Sequence, residues 1–561
     1  MIRYPRSILA ICIAAVLTGA FLAGIAQDQH QRRGVYDPEA YAAAISHRLF
    51  GDEWGKTYRA GVMAAFHDRG LSTETLKDIA ENGVSDMRKV PLIGGNDRGY
   101  HDFVLLSVVL FGVTLQGTYY LFYLILAVSC SAYVWSFRHS VPRLAELQVL
   151  LMGMAIYTYA LTATNQLANL ADSRVIGVLS LPALLHWLRV LSHPPCGDRF
   201  VRSPELALLV LQGVILLAAV LCRTAAIWQL AVIAVVGLYF ALTRLRAGLL
   251  RPALFSGLMA VVLIGALLAA RTAQHAGVAA AQRGEAGTHL FWHNVGIGFS
   301  LHPRFAEIYG TDDLILSDPY MFNIVLKKTL ADGTVDRIFE KDSTGTYIIP
   351  DWRGDRRAAY ERAAKQVVFG FVRDHPLETL RLLVFDKPLG LIQVALMYAA
   401  PPVVFLLEDI QAGLGVRLFD PPDAWAQRHI AGLGERLQAG SLFSPLRVVF
   451  LLPLVVLIFV LRSADVRGFV LGSAGLFAVM MVGSLMPIIG VYPVAHTAGP
   501  FMVLLGGLAV PVLLAVVMPL FAKFAFGKEQ PLDGVAATLC LFVVVFTALQ
   551  AFLGSGPIML F

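Results

Sequence analysis

Charged residues are scarce in this chain. Asp, Glu, Lys and Arg make up 15% of its 561 residues, whereas soluble domains carry about a quarter. This shortage excludes an ordinary soluble protein. Hydrophobic residues reach 57% and the mean hydropathy is +0.66, so the composition predicts an integral membrane protein. The net charge of +6 is then better explained by basic cytoplasmic loops than by nucleic-acid binding.

Signatures of soluble enzymes are also missing. The chain has no P-loop, no Rossmann glycine pattern after a strand and no GxSxG motif, which argues against an ATP-driven pump. Its five cysteines form no CxxC pair, and most of them lie in apolar runs. They therefore indicate neither a disulfide framework nor a zinc site.

Long apolar runs, in contrast, are abundant. A helix needs about 20 apolar residues to cross the hydrocarbon core of a bilayer, and it satisfies its backbone polar groups within the segment. The sequence predicts an α-helical multi-pass membrane protein with about eleven transmembrane helices. The predicted spans lie near residues 7–26, 118–135, 147–164, 175–191, 205–221, 225–242, 253–270, 446–461, 469–489, 501–520 and 535–553.

Two polar segments separate groups of spans and predict two extracytoplasmic α or α/β regions. Gly24 and Ala26 resemble a signal-peptide cleavage site, but the length of the first apolar run favours a retained helix. The predicted parts are a first transmembrane helix, a first external loop domain, a transmembrane core, a second external domain and C-terminal transmembrane helices. They cover residues 1–26, 27–102, 103–270, 271–445 and 446–561.

The arginines predict an orientation. They precede the first span and then recur in alternate loops, which places the N-terminus in the cytoplasm and both polar segments outside. We therefore expect an inner (plasma) membrane protein of a bacterium. Residues 388–407 are apolar but interrupted by Pro401 and Pro402. If this segment crosses the membrane, the four basic residues of the last loops lie outside, so a re-entrant or surface-lying segment is favoured.

Glycines, prolines and periodicity predict several local features. Gly112 and Gly117 divide the apolar stretch 103–137 into a short membrane-surface helix and a true span. Residues 355–384 have helical periodicity with a break at Asp374-His375-Pro376, and residues 330–334 read as a turn.

Four short polar segments lie next to the predicted spans on the outer side. Their arrangement resembles that of the GT-C glycosyltransferases, membrane enzymes that transfer a sugar from a polyprenyl-phosphate donor on the outer face. The resemblance concerns the layout of most of the chain and is carried by short motifs. These are Val35-Tyr36-Asp37-Pro38-Glu39-Ala40-Tyr41, Asn96-Asp97-Arg98-Gly99-Tyr100-His101-Asp102-Phe103, Asn169-Leu170-Ala171-Asp172-Ser173-Arg174, and Val491-Tyr492-Pro493 with His496.

The resemblance implies a catalytic acidic residue just after the first span. Glycosyl transfer from a lipid phosphate needs a carboxylate to deprotonate the acceptor, and positive charge or a metal ion against the leaving phosphate. Asp37 matches the catalytic position, with Glu39 as the second candidate. Asp-Pro-Glu is also a common helix start, in which Asp37 would act as an N-cap. The cofactor is left open, with a divalent metal ion as one alternative.

Other candidates for substrate binding lie in the remaining outer segments. Asp97 and Asp102 flank a predicted loop, which is also consistent with a solvated turn. Asp172 and Arg174 lie at the outer end of a span, where Arg174 either contacts a lipid phosphate or reaches for the interface. His496 is a lone histidine in an apolar late loop, and a helix-end polar group is the alternative.

The second external region opens with a histidine-rich stretch. His289 and His293 are four residues apart, a spacing that would suit a metal ion on a helix, but the zincin glutamate is missing. Gly296 and Gly298 favour a loop or strand instead. We expect His293 or Arg304 to bind phosphate or sugar, with an interfacial position as the alternative.

The expected function is therefore a GT-C-like transfer of sugar to a lipid, glycan or protein acceptor on the extracytoplasmic face. The expected partners are the bilayer and a polyprenyl-phosphate-linked sugar. A transporter or lipid flippase is the alternative from a different class, although no internal repeat is present. A glycan polymerase or ligase is a further alternative that uses the same lipid-linked substrates.

Overall fold

The structure is a computed structural model, and the part of the chain that it describes is mostly helical. The described residues are 38–50, 56–57, 59–70, 72–84, 90–91, 98–114, 117–138, 176–192, 204–276, 290–300, 302–309, 318–349 and 354–386, with single positions between 140 and 154 and between 475 and 483.

Besides single helical positions between 143 and 154, the first part of the described chain contains nine α-helices with defined bounds. They are α1 (Pro38–Phe50), α2 (Arg59–Arg69), α3 (Thr73–Asn82), α4 (Arg98–Phe111), α5 (Gly117–Phe137), α6 (Leu181–Ser192), α7 (Pro204–Cys222), α8 (Trp228–Arg246) and α9 (Leu250–Ala276). Two 3₁₀ turns, Ile176–Ser180 and Thr224–Ile227, precede α6 and α8, and the short strands β1 (Lys56–Thr57) and β2 (Val90–Pro91) pair antiparallel.

Four of these helices are long and apolar enough to cross a membrane. They are α5, α7, α8 and most of α9, and they indicate an integral membrane protein in a lipid environment. Each coincides with a predicted span. Residues Ile176–Ser192 form a shorter apolar helix at the predicted span 175–191. The predicted spans at 7–26, 147–164 and beyond 446 lie wholly or mostly outside the described residues.

A glycine separates α4 from α5. Gly112 has a φ of +81°, a backbone conformation that costs glycine little and other residues more, so the helix ends there. The predicted division of the 103–137 stretch is confirmed. The 14 residues of α4 rise about 21 Å, which is less than the roughly 30 Å hydrocarbon thickness, so α4 is too short to be a span.

The apolar helices pack into one bundle, in which α5, α6 and α8 run in one direction and α7 runs in the opposite direction. Side-chain contacts place the start of α5, the end of α7 and the start of α8 at one end, which we call the Thr118 end. The end of α5 and the end of α6 meet at the opposite end, which we call the Arg189 end. Tyr133, Leu184, Leu216 and Trp228 belong to the shared buried core.

Buried amides tie the helices of the bundle together. The Gln212 side-chain amide of α7 donates to the Ser129 carbonyl of α5 over 2.7 Å, while the Ser129 hydroxyl donates to Gln212 Oε1 over 2.6 Å. Gln229 of α8 donates to the Gly177 carbonyl and accepts from the Ser180 hydroxyl. The side-chain polar groups in both sets of contacts are hydrogen-bonded, so burying them between apolar helices costs little free energy.

The outside of the bundle is apolar. On α9, large aliphatic side chains are more than half exposed, and α4 and α8 show the same pattern. Contiguous apolar surface of this kind is normal for a bilayer and unusual for water. These side chains include Leu254, Leu258, Val261 and Leu268 of α9, Val109 and Leu110 of α4, and Val235 and Leu238 of α8.

Residues 290–386 form a second packed unit with its own apolar core. Its helices are α10 (Phe291–Phe299), α11 (Pro303–Tyr309), α12 (Asp318–Ala331), α13 (Gly354–Asp374) and α14 (Pro376–Arg381), followed by a π turn (Leu382–Asp386). The strands β3 (Glu340–Lys341) and β4 (Tyr347–Ile348) form an antiparallel hairpin. The predicted turn at 330–334 and the predicted break at His375 are both confirmed.

The predicted loop or strand after His293 is wrong, because residues 291–299 form helix α10. Gly296 faces α12, and a Cβ at this position would lie 2.6 Å from Met321 Cε. The glycine therefore permits close packing of two helices and does not end a helix. This contact is long-range and leaves no local trace in the sequence.

Gly99 marks a closer approach, between α4 and α7. A Cβ at Gly99 would lie 2.7 Å from the backbone nitrogen of Cys222, with the Leu221 carbonyl also in contact. Backbone atoms cannot rotate away, so we expect Gly99→Ala to destabilise the protein by about 1–3 kcal/mol. Unfolding of the reconstituted protein in a denaturant series checks this. Gly296→Ala is the matched control, because the flexible Met321 side chain can move and the loss should be smaller.

Candidate functional site

The start of α1 is attached to the end of the membrane bundle. The Tyr41 hydroxyl shares a 2.5 Å hydrogen bond with Thr118 Oγ1, in the first turn of span α5. Both residues are buried, and burial raises the pKa of the Tyr41 phenol, which keeps it a neutral hydrogen-bonding group. Asp37 lies outside the described residues, one position before α1. Glu39 lies in the first turn of α1, and its side chain is outside the described part of the structure.

Helices α1 and α4 pack side by side and run antiparallel. Tyr41 contacts the chain just after α4, whereas the His47 ring at the other end of α1 lies 6.4 Å from the His101 ring near the start of α4. His101 is buried and its Nδ1 lies 3.5 Å from an oxygen of Asp102. The two helices therefore lie together on the bundle. The Tyr41–Thr118 hydrogen bond is near the start of α1, and the two histidine rings meet at its other end.

Asp102 lies within α4, so the predicted loop through this residue is wrong. The helix already begins at Arg98, because Gly99 packs against α7 and its carbonyl accepts a hydrogen bond from Cys222 Sγ over 3.2 Å. The Asp102 carboxylate is half exposed and faces away from the core residues Tyr100 and Phe103. The other acidic candidate of this segment, Asp97, lies outside the described residues.

The 3₁₀ turn Ile176–Ser180 directly precedes α6 at one end of the bundle. It packs against α5, α7 and α6 and is buried throughout. The hydrogen bonds of Gln229 to Gly177 and Ser180 hold it against the first turn of α8, at the Thr118 end. The candidates Asp172 and Arg174 precede this turn by a few residues and lie outside the described part of the chain.

His293 is part of the core of the second unit. Its side chain is buried, and its Nδ1 shares a 2.6 Å hydrogen bond with the Tyr360 hydroxyl. The Glu361 carboxylate accepts the backbone N–H groups of Trp292 and His293 at 2.9 and 3.2 Å, which caps the start of α10. These contacts favour a structural role for His293.

Arg304 lies at the surface of the second unit. Its side chain is about half exposed and pairs with Glu307 over 2.8 Å, one helical turn later. The same unit contains an aromatic pair, Trp292 and Phe369, with the Lys365 ammonium 5.6 and 5.4 Å from their ring centres. The described contacts do not bring Arg304 to the start of α1.

Two described elements that follow candidate segments pack at the Thr118 end of the bundle: α1, which begins one residue after Asp37, and the 3₁₀ turn, which begins two residues after Arg174. His293 and Arg304 lie in the second unit. His496 is outside the described residues. Among the described side chains, no group of three His, Cys, Asp or Glu residues could hold a metal ion.

The buried ion pair between Glu146 and Arg189 was not predicted from the sequence. Arg189 of α6 donates through Nε to Glu146 Oε2 over 2.8 Å and through Nη2 to Oε1, and Arg143 donates to the same carboxylate over 3.1 Å. Glu146 is 1% and Arg189 7% exposed. The available signal was an arginine inside the apolar run 175–191 and a glutamate at the start of the next run upstream.

Protein-family models, curated proteins and solved structures yield no match to this chain.

Proposed function

We propose that this protein is a GT-C-like glycosyltransferase. In this proposal it takes a sugar from a polyprenyl phosphate and transfers it to a lipid, glycan or protein acceptor on the extracytoplasmic face of a bacterial inner membrane. The chain crosses that membrane about eleven times, as its apolar runs predict. The two polar regions then lie outside.

The observation that carries the proposal is the attachment of α1 to span α5. The Tyr41–Thr118 hydrogen bond holds the first turn of α1 at the end of a membrane-crossing helix. Asp37 directly precedes Pro38 and consecutive Cα atoms are about 3.8 Å apart, so the proposal assigns its carboxylate to this turn. A lipid-linked phosphate places its sugar at the same level, at the boundary between hydrocarbon and water.

The charge distribution supports the orientation. Arginines gather at the Arg189 end of the bundle, and the positive-inside rule makes that end cytoplasmic. The Thr118 end is then extracytoplasmic, where polyprenyl-phosphate sugars are used by the family that the sequence resembles. The arginines of the Arg189 end are Arg138, Arg143, Arg189, Arg244, Arg246 and Arg251.

In the proposed reaction, Asp37 accepts the proton of an acceptor hydroxyl while the hydroxyl oxygen attacks the anomeric carbon. The bond between that carbon and the phosphate oxygen breaks, and the phosphate takes the bonding electrons. Attack from the face opposite to the leaving phosphate inverts the configuration. Arg174 stabilises the charge that develops on the phosphate, with Glu39 as the second candidate base and Asp172 as a further substrate contact.

Access from the lipid is supported by α4. Its outward side chains, including Val109 and Leu110, are more than half exposed and apolar, and the helix lies between α1 and α5. A polyprenyl chain can therefore approach the Thr118 end along lipid-facing surface without passing through water.

Transport of a lipid-linked substrate is the second candidate. The observation that favours it is the buried Glu146–Arg189 pair, because ionisable groups inside a membrane bundle often serve a transport pathway. The pair lies near helix ends, and its charges neutralise each other. We therefore place transport second.

The test uses the full chain reconstituted in nanodiscs. A panel of radiolabelled polyprenyl-phosphate sugars is supplied with extracted membrane lipids and glycans as acceptors. We expect consumption of at least one donor, release of free polyprenyl phosphate and label on an acceptor. Intact donors throughout the panel, with movement of a donor across sealed vesicles by the same protein, would instead establish transport.

A further inference from the structure

The last helical segment of the second unit has an unusual surface. Leu377, Leu380, Val384 and Phe385 of α14 and the following π turn are 77%, 59%, 51% and 61% exposed. In contrast, Thr379 and Leu382 on the opposite side of the segment are buried in the unit. A water-facing helix normally has the reverse arrangement, with polar residues outside.

The exposed apolar residues form one continuous face. Positions 377, 380, 384 and 385 are spaced by three, four and one residues, so they share one side of the helical segment. The exposed Arg381 lies among them. The segment of 11 residues, Pro376 to Asp386, is about 16 Å long and is too short to cross a membrane. An exposed apolar face with a long basic side chain that can extend to the headgroups is typical of a helix that lies in the membrane interface.

The chain on both sides of the unit points to what covers this face. Before the unit, Leu250–Ala273 of α9 is a candidate membrane span. After the π turn, residues 388–407 contain no Asp, Glu, Lys or Arg and are mostly apolar. Both connections therefore join the unit to apolar segments, and a lipid surface lies within reach of the exposed face.

We infer that the acyl chains of the membrane leaflet next to this unit are the partner of the α14 face. Leu377, Leu380, Val384 and Phe385 enter the hydrocarbon boundary, and Arg381 reaches the phosphate groups. The unit is thus docked on the bilayer by its own last helix. This inference does not depend on the proposed reaction.

Spin labels on the full chain in phosphatidylcholine nanodiscs test the inference. Leu377→Cys and Leu380→Cys place nitroxides on the face, and Gln366→Cys places a matched nitroxide on an exposed polar position of α13. The wild-type chain, labelled in parallel, gives the background of its five native cysteines. Collision rates are measured with oxygen, which concentrates in lipid, and with a water-soluble nickel complex.

We expect the labels at 377 and 380 to collide more with oxygen and less with nickel than the label at 366. Nickel collisions equal to those at 366 would place the face in water and overturn the inference. Protection from both reagents would also overturn it, because the face would then be covered by protein, either a second copy or another part of this chain. All three positions are exposed, so the labels test the surface without disturbing the core.

Discussion

Asp37→Asn is expected to lower the turnover of the lipid-linked donor by about 100- to 10,000-fold, the usual contribution of a positioned general base. An amide cannot accept the acceptor proton at neutral pH. Asn and Asp are about equally good N-caps, so the start of α1 at Pro38 should keep its stability. Initial rates with the nanodisc-reconstituted variant measure the effect, at saturating donor.

The matched control is Glu39→Gln, two residues further along the same segment. If Asp37 is the base, Glu39→Gln retains most of the turnover, whereas the reverse result assigns the base to Glu39. Full turnover by both variants would keep the enzyme and discard this segment as its catalytic centre. An unfolding measurement on each variant separates a catalytic loss from loss of the folded protein.

The membrane helices could be predicted because their signal is local. A span such as Pro204–Cys222 is a continuous apolar run whose length matches the bilayer, and no distant residue is needed to recognise it. The end of α4 was equally readable, since Gly112 adopts a positive φ at the predicted break. Composition and glycine position are properties of a short window.

Features that depend on a second element could not be predicted. Gly296 reads as a helix breaker until Met321 is known to lie against it. The predicted start of α4 lies too late in the sequence for the same reason. The contact of Gly99 with Cys222 joins residues 123 positions apart. In both cases the glycine is required by a neighbouring helix and not by its own turn.

The candidate site likewise has features that a short stretch of sequence reveals and features that depend on distant residues. Acidic residues next to a span are visible in the sequence, so Asp37 and Glu39 were identifiable as candidates. The Tyr41–Thr118 bond that holds their helix on the bundle spans 77 positions and has no sequence pattern. His293 shows the opposite error. Its spacing from His289 suits a metal ligand, but in the structure its ring is bonded to Tyr360 and its backbone N–H donates to Glu361.

Arg189→Met is expected to cost about 3–5 kcal/mol of stability, the usual effect of removing one partner of a buried ion pair. Glu146 would remain 1% exposed with Arg143 as its partner, and Arg143 is itself partly exposed. The buried carboxylate would lose the two hydrogen bonds that Arg189 donates to it, which costs free energy. Unfolding by SDS titration in bicelles measures the loss, followed through the helical signal.

Arg138→Met is the matched control, because Arg138 is exposed, stacks over Trp135 and donates to the Trp135 carbonyl. Replacing both partners, as in Glu146→Met with Arg189→Met, should recover most of the lost stability, because an apolar pair leaves no buried charge. The two single variants and the double variant form a cycle that isolates the coupling between the residues. If Arg189→Met unfolds with the wild-type midpoint, Glu146 is hydrated in the bilayer, and the pair does not hold α6 to the chain that carries Glu146.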